Sequence, residues 1–185
     1  MPKTKNRPTK PITIAIQPFN GLSREEIFPI VERLEEIYRI EVAVLKTVND
    51  SGIHSEGVYL GGMNWEEMNS YLYGINDYKL KLGITRELIG SPEVFTSEND
   101  GKYCLISLHP KIKGFYLADF GLQLGLYQAI HETGHMLGMD HCWENGGKFD
   151  EYCYMGTNAF LKLPKLRFCE KHKFYLLKKE LLKIK

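Results

Sequence analysis

The run His131-Glu132-Thr133-Gly134-His135-Met136-Leu137-Gly138-Met139-Asp140-His141 places three histidines and one acid at fixed offsets. Residues four apart on a helix share a face, so His131 and His135 can present two imidazoles to one ion. Glu132 is too close in sequence to the first ligand to join that grip easily. It is placed instead to act as general base on a metal-bound water. Gly138 follows His135 by three residues and suits the left-handed conformation that ends a helix and turns the chain. That turn brings His141 back as a third ligand. Three protein ligands leave a fourth position open, the mark of a catalytic rather than a structural metal site. A zinc ion held this way lowers the pKa of its water to about 7 and polarises a carbonyl oxygen. Glu132 then takes the water's proton and passes it to a leaving amine. No cysteine contributes to this set, which favours hydrolysis over redox chemistry. A helix that merely carries two surface histidines would need neither the glycine nor the third histidine.

The flanking sequence supplies a scaffold for that helix. Ala118 to Gly138 reads as one long helix with Leu122, Leu126, Ala129 and Ile130 on its apolar face. Upstream, Ile12 to Gln17 reads as a strand closed by Pro18. Ser23 and Glu26 form a capping box, followed by Ile27, Ile30, Val31, Leu34, Ile37 and Tyr38 on one helical face. Pro29 is expected to kink that helix or move its start. Ile40 to Leu45 is a second strand, and strand-helix-strand over this length implies a crossover and a parallel pair. Asn49 to Gly62 reads as a Gly-rich loop, Trp65 to Tyr73 as a short helix, and Tyr78 to Thr85 as a third strand. Ser91 to Gly101 reads as a polar loop, and Tyr103 to Leu108 as a fourth strand closed by His109-Pro110. Met139 to Pro164 is irregular. About Glu170 to Lys185 reads as a terminal helix with Phe174, Leu177, Leu181 and Leu182 as its stripe.

Composition narrows the classes. A chain of 185 residues with 43% hydrophobic and 25% charged residues can build one ordinary globular core. A net charge of +1 gives no field argument for nucleic acid. No apolar run approaches the roughly 18 residues of a membrane span, so no membrane partner is expected. Residues 1–11 are Lys/Pro/Thr-rich without an apolar stretch; they read as a flexible arm, not a secretory signal, and a cytoplasmic location is expected. That arm is too short for an inhibitory propeptide and holds no cysteine that could block a metal. Of the four cysteines, Cys142, Cys153 and Cys169 cluster in the region richest in histidine. In a reducing compartment such clusters more often mean metal than disulfides, although buried reduced thiols are the competing reading. Cys104 lies in a strand and reads as core.

The His131 to His141 run resembles the metzincin zinc motif, which is followed downstream by a turn with a buried methionine; Met155 is the candidate here. In metzincins that residue packs beneath the histidine ligands. Within that clan the chain resembles the archaemetzincin family. The resemblance rests on Cys142 directly after His141, Cys153 two residues before Met155, and Cys169 in a Phe-Cys setting. It covers most of the chain, with its specific part from Ile130 to His172. It implies a zinc peptidase with a second, structural zinc on four cysteines. Two departures stand out. Where the family has Cys-x-x-Cys, this chain has Cys169-Glu170-Lys171-His172, and imidazole can replace thiolate in a tetrahedral site. The gap from Cys142 to Cys153 is also longer than usual, filled by Trp143 to Tyr152.

The resulting expectation is an α/β (α+β) fold. A twisted mixed sheet with backing helices and the active-site helix should span residues 12–138, with a small zinc-bound C-terminal part over 139–185. Two zinc ions are expected. His131, His135 and His141 hold the catalytic one; Cys142, Cys153, Cys169 and His172 hold the other. Glu132 is the base, with Gly138 and Met155 supporting. The resemblance implies that peptide or protein substrate binds in extended form along the strand before the active-site helix, for which Tyr103 to Leu108 is the candidate. His109, at that strand's end, could contact substrate or be an ordinary rim residue; His54 reads as a solvated surface residue. Two other classes compete. One is a zinc-stabilised binding protein with little turnover. The other is nucleic-acid binding through the Cys/His cluster and the lysines of 162–185, which read more simply as the solvated side of a terminal helix.

Overall fold

The structure is a computed structural model. It describes residues 12–48, 65–86, 96–99, 103–108, 111–112, 115–116, 121–142, 150–156 and 165–181. The 1–11 arm, the 49–62 loop, His54, His109 and most of the Trp143 to Tyr152 insertion lie outside the described residues.

Strand β1 (Ile12–Pro18) leads through helix α1 (Arg24–Ile37) to β2 (Ile40–Val44), and β1 and β2 pair in parallel. Ser23 caps α1 through the expected box: its hydroxyl accepts from Glu26 N–H, and the Glu26 carboxylate accepts from Ser23 N–H. Pro29 neither ends α1 nor moves its start, because the helix runs on to Ile37 around it. The buried Ile27, Ile30 and Leu34 compensate for the lost backbone bond.

Helix α2 (Trp65–Gly74), β3 (Leu80–Thr85), β4 (Thr96–Asn99) and β5 (Tyr103–Ser107) follow. They complete a five-stranded sheet in the order β2-β1-β3-β5-β4, parallel except for the antiparallel β4-β5 pair. The expected mixed sheet is therefore present, with two corrections. The segment read as a polar loop contains β4, whose Thr-Ser-Glu-Asn sequence carries no apolar alternation; pairing with a buried neighbour makes it a strand. As a result β5 is interior, bonded to β3 on one side and β4 on the other, and β4 is the edge. A short hairpin, β6 (Lys111–Ile112) and β7 (Phe115–Tyr116), leads towards the long helix α3 (Gly121–Met136).

Strand alternation sorts the side chains by layer. Ile14, Ile16, Leu82, Ile84, Cys104 and Ile106 share one core with α1, α3 and the C-terminal segments. Phe19, Tyr103 and Leu105 form a second cluster with Met68 and Leu72 of α2. Gly83 lies where α2 crosses the sheet. A Cβ there would come within 2.6 Å of Leu105 Cδ1 and 2.9 Å of Leu72 Cδ1.

The last helix, α4 (Glu170–Lys178), is shorter than the sequence suggests and buries a different face. His172 and Leu176 are buried, whereas Phe174 and Leu177 are exposed. Of the expected stripe, Phe174 and Leu177 face solvent, Leu181 is buried just beyond the helix, and Leu182 lies outside the described residues; the buried face includes His172, a polar residue that a hydrophobic pattern does not count. Glu180 takes a positive φ of 56° and ends α4, with its N–H on Leu177 O and Leu181 N–H on Leu176 O.

Gly83→Val should lower unfolding free energy by about 1–3 kcal/mol in urea titration, despite valine's better strand propensity. A gain in stability would refute the tight α2-sheet contact.

Candidate functional site

Helix α3 packs against β5 and α1 through Leu124, Tyr127 and Ile130, which presents His131, Glu132 and His135 on one stretch of its surface. The helix ends where the sequence put its stop. Gly138 takes a φ of +90°, its N–H bonds to His135 O, and Met139 N–H bonds to Gly134 O at 3.0 Å. These two bonds are the paired closures of a Schellman turn. A Cβ on Gly138 would also lie 2.8 Å from Tyr175 Oη, which donates to Leu137 O.

The turn carries His141 back to the helix. His135 Nε2 lies 3.1 Å from His131 Nε2 and 3.2 Å from His141 Nε2. These contacts are not hydrogen bonds between the histidines of the helix, because the protons are elsewhere. His131 Nδ1 is 2.7 Å from Tyr154 O, and His135 Nδ1 is 2.8 Å from Met139 O. A carbonyl can only accept, so each Nδ1 carries the hydrogen and each Nε2 turns a lone pair inward. Burial pushes the pKa of His131 down to about 3, further than its bond to Tyr154 O raises it, with His135 and His141 lowering it more. Neutral imidazole is the form that binds metal.

Glu132 is buried beside this group, with Oε1 3.9 Å from His131 Nε2 and Oε2 accepting from the Cys104 thiol at 3.6 Å. Sequence reading placed Cys104 correctly in the core but missed this contact. No motif carries it, because it joins β5 to α3 across 28 residues. Tyr127 was also missed: its hydroxyl donates to Gly156 O at 2.7 Å and lies 3.4 Å from His131 Nδ1. Its spacing of four from His131 on the helix was the available signal.

Met155 is fully buried beneath α3. A Cβ on Gly134 would lie 2.5 Å from its sulfur, so the glycine is what lets the methionine reach the helix beside His135.

A second convergence lies behind the first. The ligand atoms of Cys142, Cys153, Cys169 and His172 all fall within 4.8 Å of one another. His172 Nδ1 is 3.3 Å from Cys153 Sγ and 3.0 Å from Cys169 Sγ, and Cys142 Sγ is 3.9 Å from Cys169 Sγ. His172 Nε2 donates to Asp140 O at 2.9 Å, which leaves Nδ1 as the free donor atom. Backbone N–H groups of Met155 and Cys169 donate to Cys153 Sγ. Burial drives the Cys142 thiol well above its ordinary pKa, with Cys153 and Cys169 adding to it, and burial raises Cys153 against the lowering by the N–H groups of Cys169 and Met155. Only a cation among them would let these sulfurs ionise.

Two candidate metal sites are therefore present among the described residues: His131, His135 and His141, and the cluster of three cysteines with His172. No described helix is long and apolar enough to cross a membrane.

No protein-family model matches the chain, and no curated protein matches it significantly. Solved structures do. An archaemetzincin from Methanopyrus kandleri superposes with a TM-score of 0.67 at 20% identity, covering 95% of this chain and 98% of that one. An archaemetzincin from Archaeoglobus fulgidus, solved with malonate, gives 0.62 at 21% identity over 88% and 99%. A zinc-dependent peptidase from Methanocorpusculum labreanum gives 0.61 at 16% identity over 88% and 99%. The chain has the archaemetzincin fold.

Gly138→Ala must place a side chain at positive φ against Tyr175. It should cost about 1–2 kcal/mol of stability by thermal or urea unfolding. An unchanged transition would show that the turn does not need the left-handed residue.

Proposed function

We propose that this chain is a zinc-dependent peptidase, with His131, His135 and His141 holding the catalytic ion and Glu132 serving as general base. The observation that carries the reading is the triad's geometry. Three nitrogens at tetrahedral angles on zinc, with bonds of about 2.0–2.1 Å, lie about 3.3 Å apart. The two Nε2 separations here, 3.1 and 3.2 Å, fit that spacing. The likeness in fold to a zinc-dependent peptidase supports the choice of metal and reaction.

When bound, zinc supplies a Lewis acid that polarises a carbonyl and makes water a nucleophile near neutral pH. The chain's own residues do the rest. Tyr154 O and Met139 O hold the two helix imidazoles in the ligating tautomer. Glu132, buried and turned towards the triad, takes a proton from the attacking water and returns it to the departing amine. Extended peptide adds along the sheet edge, which is β4 rather than the Tyr103 to Leu108 strand. Main-chain bonding of that kind accommodates varied sequences.

The second cluster takes a structural zinc on Cys142, Cys153, Cys169 and His172. Zinc–sulfur bonds of about 2.3 Å put tetrahedral sulfurs about 3.8 Å apart, and Cys142 and Cys169 are separated by 3.9 Å. A full set of four protein donors leaves no open position, so this ion serves the fold.

Elemental analysis of protein purified without chelator should find two zinc ions per chain. His135→Ala should lose one and Cys153→Ser the other. One ion lost only with His135→Ala would reject the cysteine site and keep the peptidase. Glu132→Ala should retain both ions and lose essentially all hydrolysis of a peptide library that the wild type cleaves. Retained hydrolysis in that variant would sink the mechanism.

A further inference from the structure

The general base proposed above is held by a thiol. Cys104 is fully buried on the face of β5 that packs against α3. Its Sγ lies 3.6 Å from Glu132 Oε2, within the reach of a thiol hydrogen bond. The other carboxylate oxygen, Oε1, is the one near His131 Nε2. The carboxylate therefore has two distinct ends, one on the sheet and one on the histidine group. Most neighbours of Cys104 in this layer are aliphatic: Ile16, Leu82 and Ile106 of the sheet and Ile130 of α3 belong to the same core. A side chain chosen only to fill that space would be valine or alanine. A thiol fills it almost as an aliphatic group does and adds one weak donor.

We infer that Cys104 is a positioning residue for the peptidase reaction, whose S–H fixes Glu132 Oε2 and so aims Oε1 at the water. The inference rests on the proposed role of Glu132. The physical reason is geometric. A Glu side chain on a helix has three rotatable bonds, and a base misplaced by an ångström loses much of its rate. The thiol can hold the carboxylate while taking little of the charge that must accept a proton.

The second metal site makes this contact directly observable. With zinc on Cys142, Cys153 and Cys169, those three sulfurs are thiolates, and Cys104 holds the chain's only S–H. Its infrared stretch is then a single assignable band in the zinc-loaded protein. We expect that band at the lowered frequency of a hydrogen-bonded thiol, lost in Cys104→Val, and moved upward in Glu132→Gln, where a neutral amide replaces the carboxylate. Cys104→Val, close in volume and without a donor, should keep both zinc ions and lower kcat about two- to fivefold with KM unchanged. Cys104→Ser, which keeps a donor, should recover part of that loss. A band that Glu132→Gln leaves in place would overturn the contact, whether or not any peptide is cleaved. A Cys104→Val enzyme with wild-type kcat would overturn the positioning role. Zinc-loaded wild type that cleaves no peptide would instead refute the proposed function, with the infrared test still deciding the contact.

Discussion

The Nε2 atoms of His131 and His135 face one another at 3.1 Å, and two inward lone pairs at that distance repel, an arrangement a folded chain does not adopt by default. Here it is imposed. Tyr154 O and Met139 O each claim an Nδ1 hydrogen, which removes the tautomers that would turn the His131–His135 contact into an ordinary hydrogen bond. A doubly protonated histidine would relieve the repulsion in solution, but burial holds His131 neutral far below its ordinary range. On the proposed function, a cation satisfies the inward lone pairs. Much of the local structure can be understood as delivering those two carbonyls. The Schellman turn at Gly138 aims Met139 O, and the 150–156 segment is laid under α3 so that Tyr154 O reaches the first histidine.

That 150–156 segment is fastened at several points: Tyr127 Oη donates to Gly156 O, Arg33 donates to the Tyr154 hydroxyl, and Cys153, Tyr154 and Met155 are buried in the core. It pairs with the chain through an isolated bridge between Cys153 and Arg167, and through Cys142 N–H on Met155 O. Cys153 at its centre belongs to the second cluster, two residues before the methionine that packs on Gly134. A structural zinc of this kind can contribute on the order of 10 kcal/mol of binding free energy to the folded form. That is of the same order as the burial of Cys153, Tyr154 and Met155, at about 1.5–3 kcal/mol each. On the proposed function, the second ion therefore acts on the first through the backbone: it pins Cys153, and the pinned segment presents Tyr154 O to His131.

Legibility in the sequence followed the range of the interactions. The α1 capping box and the stop at Gly138 are local, with residues within a few positions of what they control, and the parallel β1-β2 pair follows from a short strand-helix-strand run. The histidine triad was readable for the same reason, since His131 to His141 span barely three turns of helix. The cysteine cluster spans 142 to 172, and its grouping came from resemblance to a family pattern, including the bet on His172. What stayed hidden depends on long-range partners. β4 is a strand because β5 offers it a ladder, with a sequence that reads as loop. The buried face of α4 carries His172 with Leu176 rather than Phe174 and Leu177. The Cys104 contact with Glu132 joins two segments that no spacing rule connects.

The histidine in the fourth cysteine's place changes more than the donor atom. A thiolate has no hydrogen to give, so beyond the ion it can only accept. An imidazole has two ends. His172 turns Nδ1 to the sulfurs and gives the Nε2 hydrogen to Asp140 O, the residue between Met139 and His141. Met139 O orients His135, and His141 is itself a member of the triad. His172 thus fastens the second cluster to the return stretch on which the triad closes, in addition to the covalent link from His141 to Cys142. That bond from α4 to Asp140 O holds the return stretch between the residue that orients His135 and the third histidine.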